Sequence, residues 1–149
     1  MNIQTLYFGE VQIDEYQVIK FQSGIPGFNE FKQFVLLDIE DNPIYKVLQS
    51  LDEEGLAFIV TNPFLIYKGY EFDLDDAVAE QLEIKTKEDV SIFSIVTVEE
   101  PFDQSTINLK APIILNLNKG LGKQVVLNLE NYHTKHSIKG GELSHARTD

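Results

Sequence analysis

Four groups of side chains in this sequence have types and spacings that could do chemistry. Gly120-Leu121-Gly122-Lys123-Gln124 has the content of a phosphate-binding loop, in which backbone N–H groups cradle phosphate oxygens. That motif needs a glycine at 117 and a Ser or Thr at 124, where this chain has Leu117 and Gln124, so a hairpin turn fits better. His133-Thr134-Lys135-His136 offers two imidazoles for a metal, but no third ligand is evident and the neighbours are basic; an exposed segment fits better. Asp73, Asp75 and Asp76 have the oxygen ligands calcium prefers, without the glycine and terminal glutamate of an EF-hand loop. Capping of a helix explains them more simply. Ser50, Ser94 and Ser105 with the three histidines near the C-terminus assemble no nucleophilic triad. No enzyme activity, metal or cofactor is expected.

What remains is a set of large aromatics among carboxylates. Glu71-Phe72-Asp73, followed by Asp75 and Asp76, and Glu99-Glu100-Pro101-Phe102-Asp103 both have this composition. One reading is a solvated acidic face with Phe72 and Phe102 tucked into the core. The other is a docking surface, in which the aromatics supply desolvated contact and the carboxylates steer a basic partner. The candidate partner-binding residues are therefore Glu71, Phe72, Asp73, Asp75, Asp76, Glu99, Glu100, Phe102 and Asp103.

The charge balance points the same way. Twelve basic residues face 24 acidic ones, a net of −12. Residues 52–103 hold 14 acids and 3 lysines, a net of −11, so nearly all the imbalance sits in one third of the chain. Such a protein is repelled by nucleic acid and anionic membranes and attracted to basic partners. With no cysteine there is no disulfide, thiolate chemistry or Cys-based zinc site. No signal peptide is visible at Met1-Asn2-Ile3-Gln4-Thr5, and no apolar run approaches the roughly 20 residues of a membrane helix, so a soluble cytoplasmic protein is expected.

The elements that must position these residues are mostly strands. Leu56-Ala57-Phe58-Ile59-Val60-Thr61-Asn62-Pro63-Phe64-Leu65-Ile66-Tyr67 is the longest apolar passage, and its consecutive apolar positions predict a strand covered on both faces. Pro63 predicts a corner at Asn62-Pro63, with a second extended piece from Phe64. Before it, Leu6, Phe8, Val11 and Ile13 around Gly9-Glu10 suggest a hairpin, and Val18-Ile19-Phe21, Val35–Ile39 and Ile44–Leu51 suggest strands. Gly24-Ile25-Pro26-Gly27-Phe28 and Asp52-Glu53-Glu54-Gly55 mark turns. One helix is predicted over Asp73–Leu82, capped by Asp73, and Thr86 with Asp89 can cap a single further turn. Strands are predicted at Val90–Val98, Ala111–Leu117 and, after a Gly120-Leu121-Gly122 turn, Gln124–Leu129. From about Asn131 the hydrophobic pattern fades. The expected architecture is mainly β: one domain over residues 1–138, with nine or ten short strands and one or two short helices in a barrel-like or sandwich-like arrangement. Residues 139–149 have no core pattern and are expected to form a disordered tail, of the kind an expression remnant leaves.

The ordered set Gly24-Ile25-Pro26-Gly27-Phe28, Asp41-Asn42-Pro43, Leu48-Gln49-Ser50, Ala57-Phe58-Ile59-Val60-Thr61-Asn62-Pro63-Phe64, Val96-Thr97 and Ala111-Pro112-Ile113 resembles the bacterial flagellar assembly factor FliW family, over about residues 3–136. The resemblance implies a small β-barrel-like domain without cofactor or enzyme activity. It also implies two protein partners, flagellin and the RNA-binding carbon storage regulator CsrA. Binding of CsrA, at a site distinct from its RNA face, would relieve its repression of flagellin translation. No residue-level motif of the family carries over, so the candidate site rests on charge and aromatics. A barrel enclosing a small apolar ligand is the alternative, because the abundant Phe and Ile could line a cavity as well as fill a core.

Overall fold

The computed structural model describes residues 1–141. The described residues form eleven strands: β1 Asn2–Thr5, β2 Gly9–Gln12, β3 Ile19–Lys20, β4 Gln33–Ile39, β5 Asn42–Ser50, β6 Ala57–Thr61, β7 Ser91–Thr97, β8 Thr106–Ile107, β9 Ile113–Asn116, β10 Leu121–Gln124 and β11 His136–Ser137. Two short helices, α1 Pro63–Ile66 and α2 Asp76–Gln81, lie between β6 and β7. Seven strands close into a barrel in the order β7-β6-β5-β4-β3-β10-β9, and β9 returns to β7 through Ser91↔Leu115, Ile92↔Ile114 and Phe93↔Ile113. All pairings are antiparallel except β3 with β10. The C-terminal half of β7 pairs instead with β8, which carries β11 outward.

The barrel interior is packed. Ile19, Phe21, Phe34, Leu48, Val60, Ile113 and Leu115 converge there from five of its strands and the loop after β3, all buried. Phe21 meets Phe34 edge to face at 5.3 Å. Three further clusters cover the outside. The β1–β2 hairpin brings Ile3 and Ile13 onto Val35, Leu37 and Val47. Helix α2 brings Val78 and Leu82 onto Ile114. Tyr67, Tyr70, Tyr132 and Ile138 close over Val96, Ile107 and Leu109. Strands such as β6 are therefore apolar on consecutive positions: Phe58 and Val60 face the interior cluster while Ala57 and Ile59 face the hairpin. With its interior filled by these side chains, the barrel does not take the form the ligand-carrier alternative requires.

Gly122 in β10 fits this interior. A Cβ there would stand 2.7 Å from Phe21 Cζ and 2.8 Å from Leu115 Cδ2, and both neighbours are fully buried. Gly122→Ala is expected to destabilise the protein by about 1–3 kcal/mol through overpacking. The urea midpoint measures this, and an unchanged midpoint would mean that Phe21 yields freely.

Several expectations are corrected. After Pro63 the chain is not extended. Asn62 takes an extended φ/ψ and its side-chain oxygen accepts from the Phe64 N–H at 2.9 Å, so Pro63 occupies the first position of a helical turn, where its missing N–H is not needed. The cap of α2 is Asp75, accepting from the Ala77 N–H at 3.0 Å, and not Asp73. The turn expected at Gly120-Leu121-Gly122 lies earlier, over residues 117–120, so that Gly120 closes it and β10 starts at Leu121. Beyond Gln124 the ladder is only half made: Val125 and Leu127 donate to Pro112 O and Lys110 O in the β10–β9 register, but Pro112 has no N–H to return. The core pattern does not end at Asn131, since Tyr132 and Ile138 are buried. The single turn at Lys87–Asp89 has the predicted capping box, and backbone N–H groups of Lys85 and Thr86 hold the Asp89 carboxyl below the usual range. The expected tail at 139–149 falls, from Glu142 onward, outside the described residues.

Candidate functional site

The acidic candidates fall on two patches at the rim of the tyrosine-rich outer cluster. The first begins where Tyr70 is locked in place. Its hydroxyl donates to Leu109 O at 2.8 Å, its ring lies 4.7 Å from Tyr132, and burial pushes its pKa well up. The Tyr132 hydroxyl is 2.9 Å from both Glu71 N and Glu71 O, accepting from one and donating to the other. This anchors the start of the segment Glu71–Asp75, along which burial alternates. Glu71, Asp73 and Asp75 are exposed, whereas Phe72 and Leu74 turn inward to pack on buried clusters. Opposite this segment runs 126–129. Together Glu71, Phe72, Asp73 and Asp75 on one side and Val126, Leu127, Asn128 and Leu129 on the other line a groove of about 580 Å³. Asp76 is exposed nearby in the first turn of α2, where the helix dipole favours a negative charge.

The second patch is the 3-10 turn Phe102–Gln104 with the preceding Glu99 and Glu100. Ser105 Oγ accepts from the Glu99 N–H at 2.8 Å, and the Ser105 N–H donates to Phe102 O at 2.9 Å, so a buried serine closes this loop on itself. The Phe102 ring meets Tyr45 edge to face at 5.5 Å, yet 45% of Phe102 stays exposed. Glu99, Glu100 and Asp103 surround it, all exposed. The two aromatics therefore differ. Phe72 is a half-buried wedge between two clusters, 5.5 Å from Tyr70, while Phe102 projects from the surface. No hydrogen bond or ion pair among the described residues links the two patches.

Residues 126–129 entered no sequence expectation for the site, because they belonged to a predicted strand. Val126 is 58% exposed and Leu129 also lies open, which gives the acidic groove an apolar wall. A second unanticipated surface is the tip of the first hairpin, where Leu6, Tyr7 and Phe8 are exposed.

All but one of the serines and described histidines singled out for chemistry have structural partners. Ser50 Oγ accepts from the Asp52 and Glu53 N–H groups, Ser105 closes its loop, and Ser94 Oγ is buried with no hydrogen-bond partner among the described residues. None of the three bonds to a described histidine. His133 and His136 stack at 5.4 Å, and the His133 N–H donates to His136 Nε2 at 2.9 Å. Burial and the neighbouring His133 lower the His136 pKa. Among the described residues no group of three or more His, Asp and Glu is placed to hold a metal ion, and no helix is long and apolar enough to cross a membrane.

A single small barrel with a filled interior and acidic, aromatic-bearing rims defines the class. The comparisons with known proteins define the family. The FliW protein family profile matches residues 2–138. The flagellar assembly factor FliW of Bacillus subtilis (strain 168) is 51% identical over 142 residues, covering 95% of this chain and 99% of the relative. That of Oceanobacillus iheyensis is 48% identical over 143 residues, covering 96% and 97%. A crystal structure of the flagellar assembly factor FliW superposes with a TM-score of 0.89 at 45% identity, covering 95% of this chain and 99% of the other. The chain belongs to the FliW family of flagellar assembly factors.

Proposed function

We propose that this protein works by binding other proteins, without catalysis. It binds flagellin, and it sequesters the RNA-binding regulator CsrA in the cytoplasm, relieving repression of flagellin translation. The observation that carries this reading is the pairing of the family with a net charge of −11 on residues 52–103, displayed around exposed apolar side chains. RNA-binding faces are basic, so an acidic partner gains encounter rate from long-range attraction. That attraction does not make the protein an RNA mimic. Exposed ion pairs contribute only about 0–1 kcal/mol each, and carboxylates distributed over loops and a helix do not reproduce a phosphate backbone. The regulator is therefore bound away from its RNA face and silenced through coupling between two sites.

Calorimetric titration of purified CsrA with this protein at rising concentrations of a CsrA-binding RNA tests the reading. Two distinct sites require the apparent affinity to fall only to a limiting value. Competition that grows without limit as RNA is added means one shared surface. Absence of binding to both CsrA and flagellin overturns the proposed function altogether.

A further inference from the structure

We propose that the groove between residues 71–75 and 126–129 takes an extended, basic peptide segment as an added β-strand. This rests on the reading that the acidic face docks a basic partner, and it specifies how that partner is held. The key feature is backbone, not charge. Residues 125–128 continue the β10–β9 register, with the Val125 and Leu127 N–H groups turned inward to Pro112 O and Lys110 O. In an antiparallel pair the alternate residues point their N–H and C=O groups to the other edge. Those residues are Val126 and Asn128, whose N–H groups have no partner among the described residues, and both residues line the groove. Exposed strand edges are templates for pairing with another chain, and natural proteins usually cover or guard them. Addition of a peptide strand to such an edge is a common recognition mode, with main-chain hydrogen bonds for affinity and alternate side chains for selection.

The far wall fixes the chemistry of the guest. Glu71, Asp73 and Asp75 are the exposed members of an alternating segment, so their carboxylates recur every second residue, roughly 6.6 Å apart in extended chain. A strand lying in the groove has the same period. Lysine or arginine at every second position would meet those carboxylates, and the apolar residues between them would lie on the other face of the added strand. A second copy of this chain is a poor guest, because its net charge of −12 opposes approach to an acidic groove. The occupant is therefore a basic, extended segment of a partner protein.

The test uses the full chain and a six-residue peptide alternating lysine and valine, with amide exchange read residue by residue by NMR. Binding should raise protection at Val126 and Asn128 at least tenfold. A peptide alternating glutamate and valine should leave both amides unchanged. The lysine–valine peptide N-methylated at every second amide, made in both registers, should lose binding in at least one of them. Val126→Pro removes one edge N–H that makes no bond among the described residues, so it should weaken the peptide at least tenfold with its melting temperature kept. If that variant does not fold, the N-methylated peptides on the wild-type chain decide alone. Equal binding by both N-methylated peptides and by the parent overturns the proposal. So does loss of CsrA or flagellin binding in Asp73→Lys alongside full binding in Val126→Pro, which would leave the acidic docking face standing without strand addition.

Discussion

Replacing Gln49 by leucine is expected to destabilise the protein by about 3 kcal/mol, the cost of leaving two or more buried polar groups without partners. Gln49 is fully buried in β5. Its Oε1 accepts from the Leu6 N–H at 2.9 Å, which ties the tip of the first hairpin to the barrel. Its Nε2 faces four carbonyls, those of Ser50 at 3.0 Å, Glu54 at 3.1 Å, Leu56 at 3.2 Å and Glu53 at 3.4 Å. Two amide hydrogens shared among these oxygens hold the acidic turn between β5 and β6 against the strand it leaves. Leucine has nearly the same volume, so it fills the site while supplying neither acceptor nor donor. For a chain of this size the change corresponds to a fall in melting temperature of roughly 10 °C. Gln49→Glu keeps the acceptor but loses the donors, and it too should destabilise. A loss below about 1 kcal/mol for the leucine variant would mean that water replaces the amide at little cost.

Gln49 also illustrates what the sequence hides. Between Leu48 and Ser50 it looks like the polar member of an alternating strand, and nothing local marks it as a buried clamp on residues 43 positions away. The strands themselves were legible because a small barrel covered on its outside makes both faces apolar, which gives continuous runs such as Leu56–Val60. Legibility failed where two local signals agreed with more than one geometry. Asn62-Pro63 fits an extended corner and equally a capped helical turn, and the Asn62 side chain decided for the latter by accepting from Phe64. Asp73 and Asp75 are both competent caps, and the register of Val78 and Leu82 against Ile114 selected Asp75. The strand expected over Gln124–Leu129 is lost beyond Gln124 because Pro112, in the facing segment, cannot donate and the Lys110 N–H bonds His133 O instead. The acidic half of the candidate groove was readable from Glu71-Phe72-Asp73. Its apolar wall was not, because more than fifty residues separate Phe72 from Val126 and only the fold brings them together.

The two aromatics of the acidic patches should behave differently when truncated. Phe102 stands 45% exposed on a loop closed by Ser105, with its edge against Tyr45. An exposed aromatic held rigid among carboxylates has the features of an interface anchor, and such anchors typically carry about 2 kcal/mol or more. Phe102→Ala is therefore expected to speed dissociation of CsrA or flagellin by about 30-fold, the equivalent of that energy, since interface mutations act mostly on the off-rate. Its effect on folding should stay near the roughly 0.5–1.5 kcal/mol of the aromatic pair it breaks. Phe72 is wedged between two buried clusters, so Phe72→Ala should lower the unfolding midpoint more than Phe102→Ala does. Charge reversal at Glu99, Glu100 and Asp103 acts on the other half of the reaction. It should slow association and flatten its salt dependence while leaving dissociation nearly unchanged, because rim charges steer encounter more than they hold the complex. Stopped-flow association and dissociation rates at two salt concentrations separate these effects. If Phe102→Ala binds both partners with wild-type rates, this patch is a solvated acidic face, and partner binding must be sought on the Glu71–Asp75 groove alone.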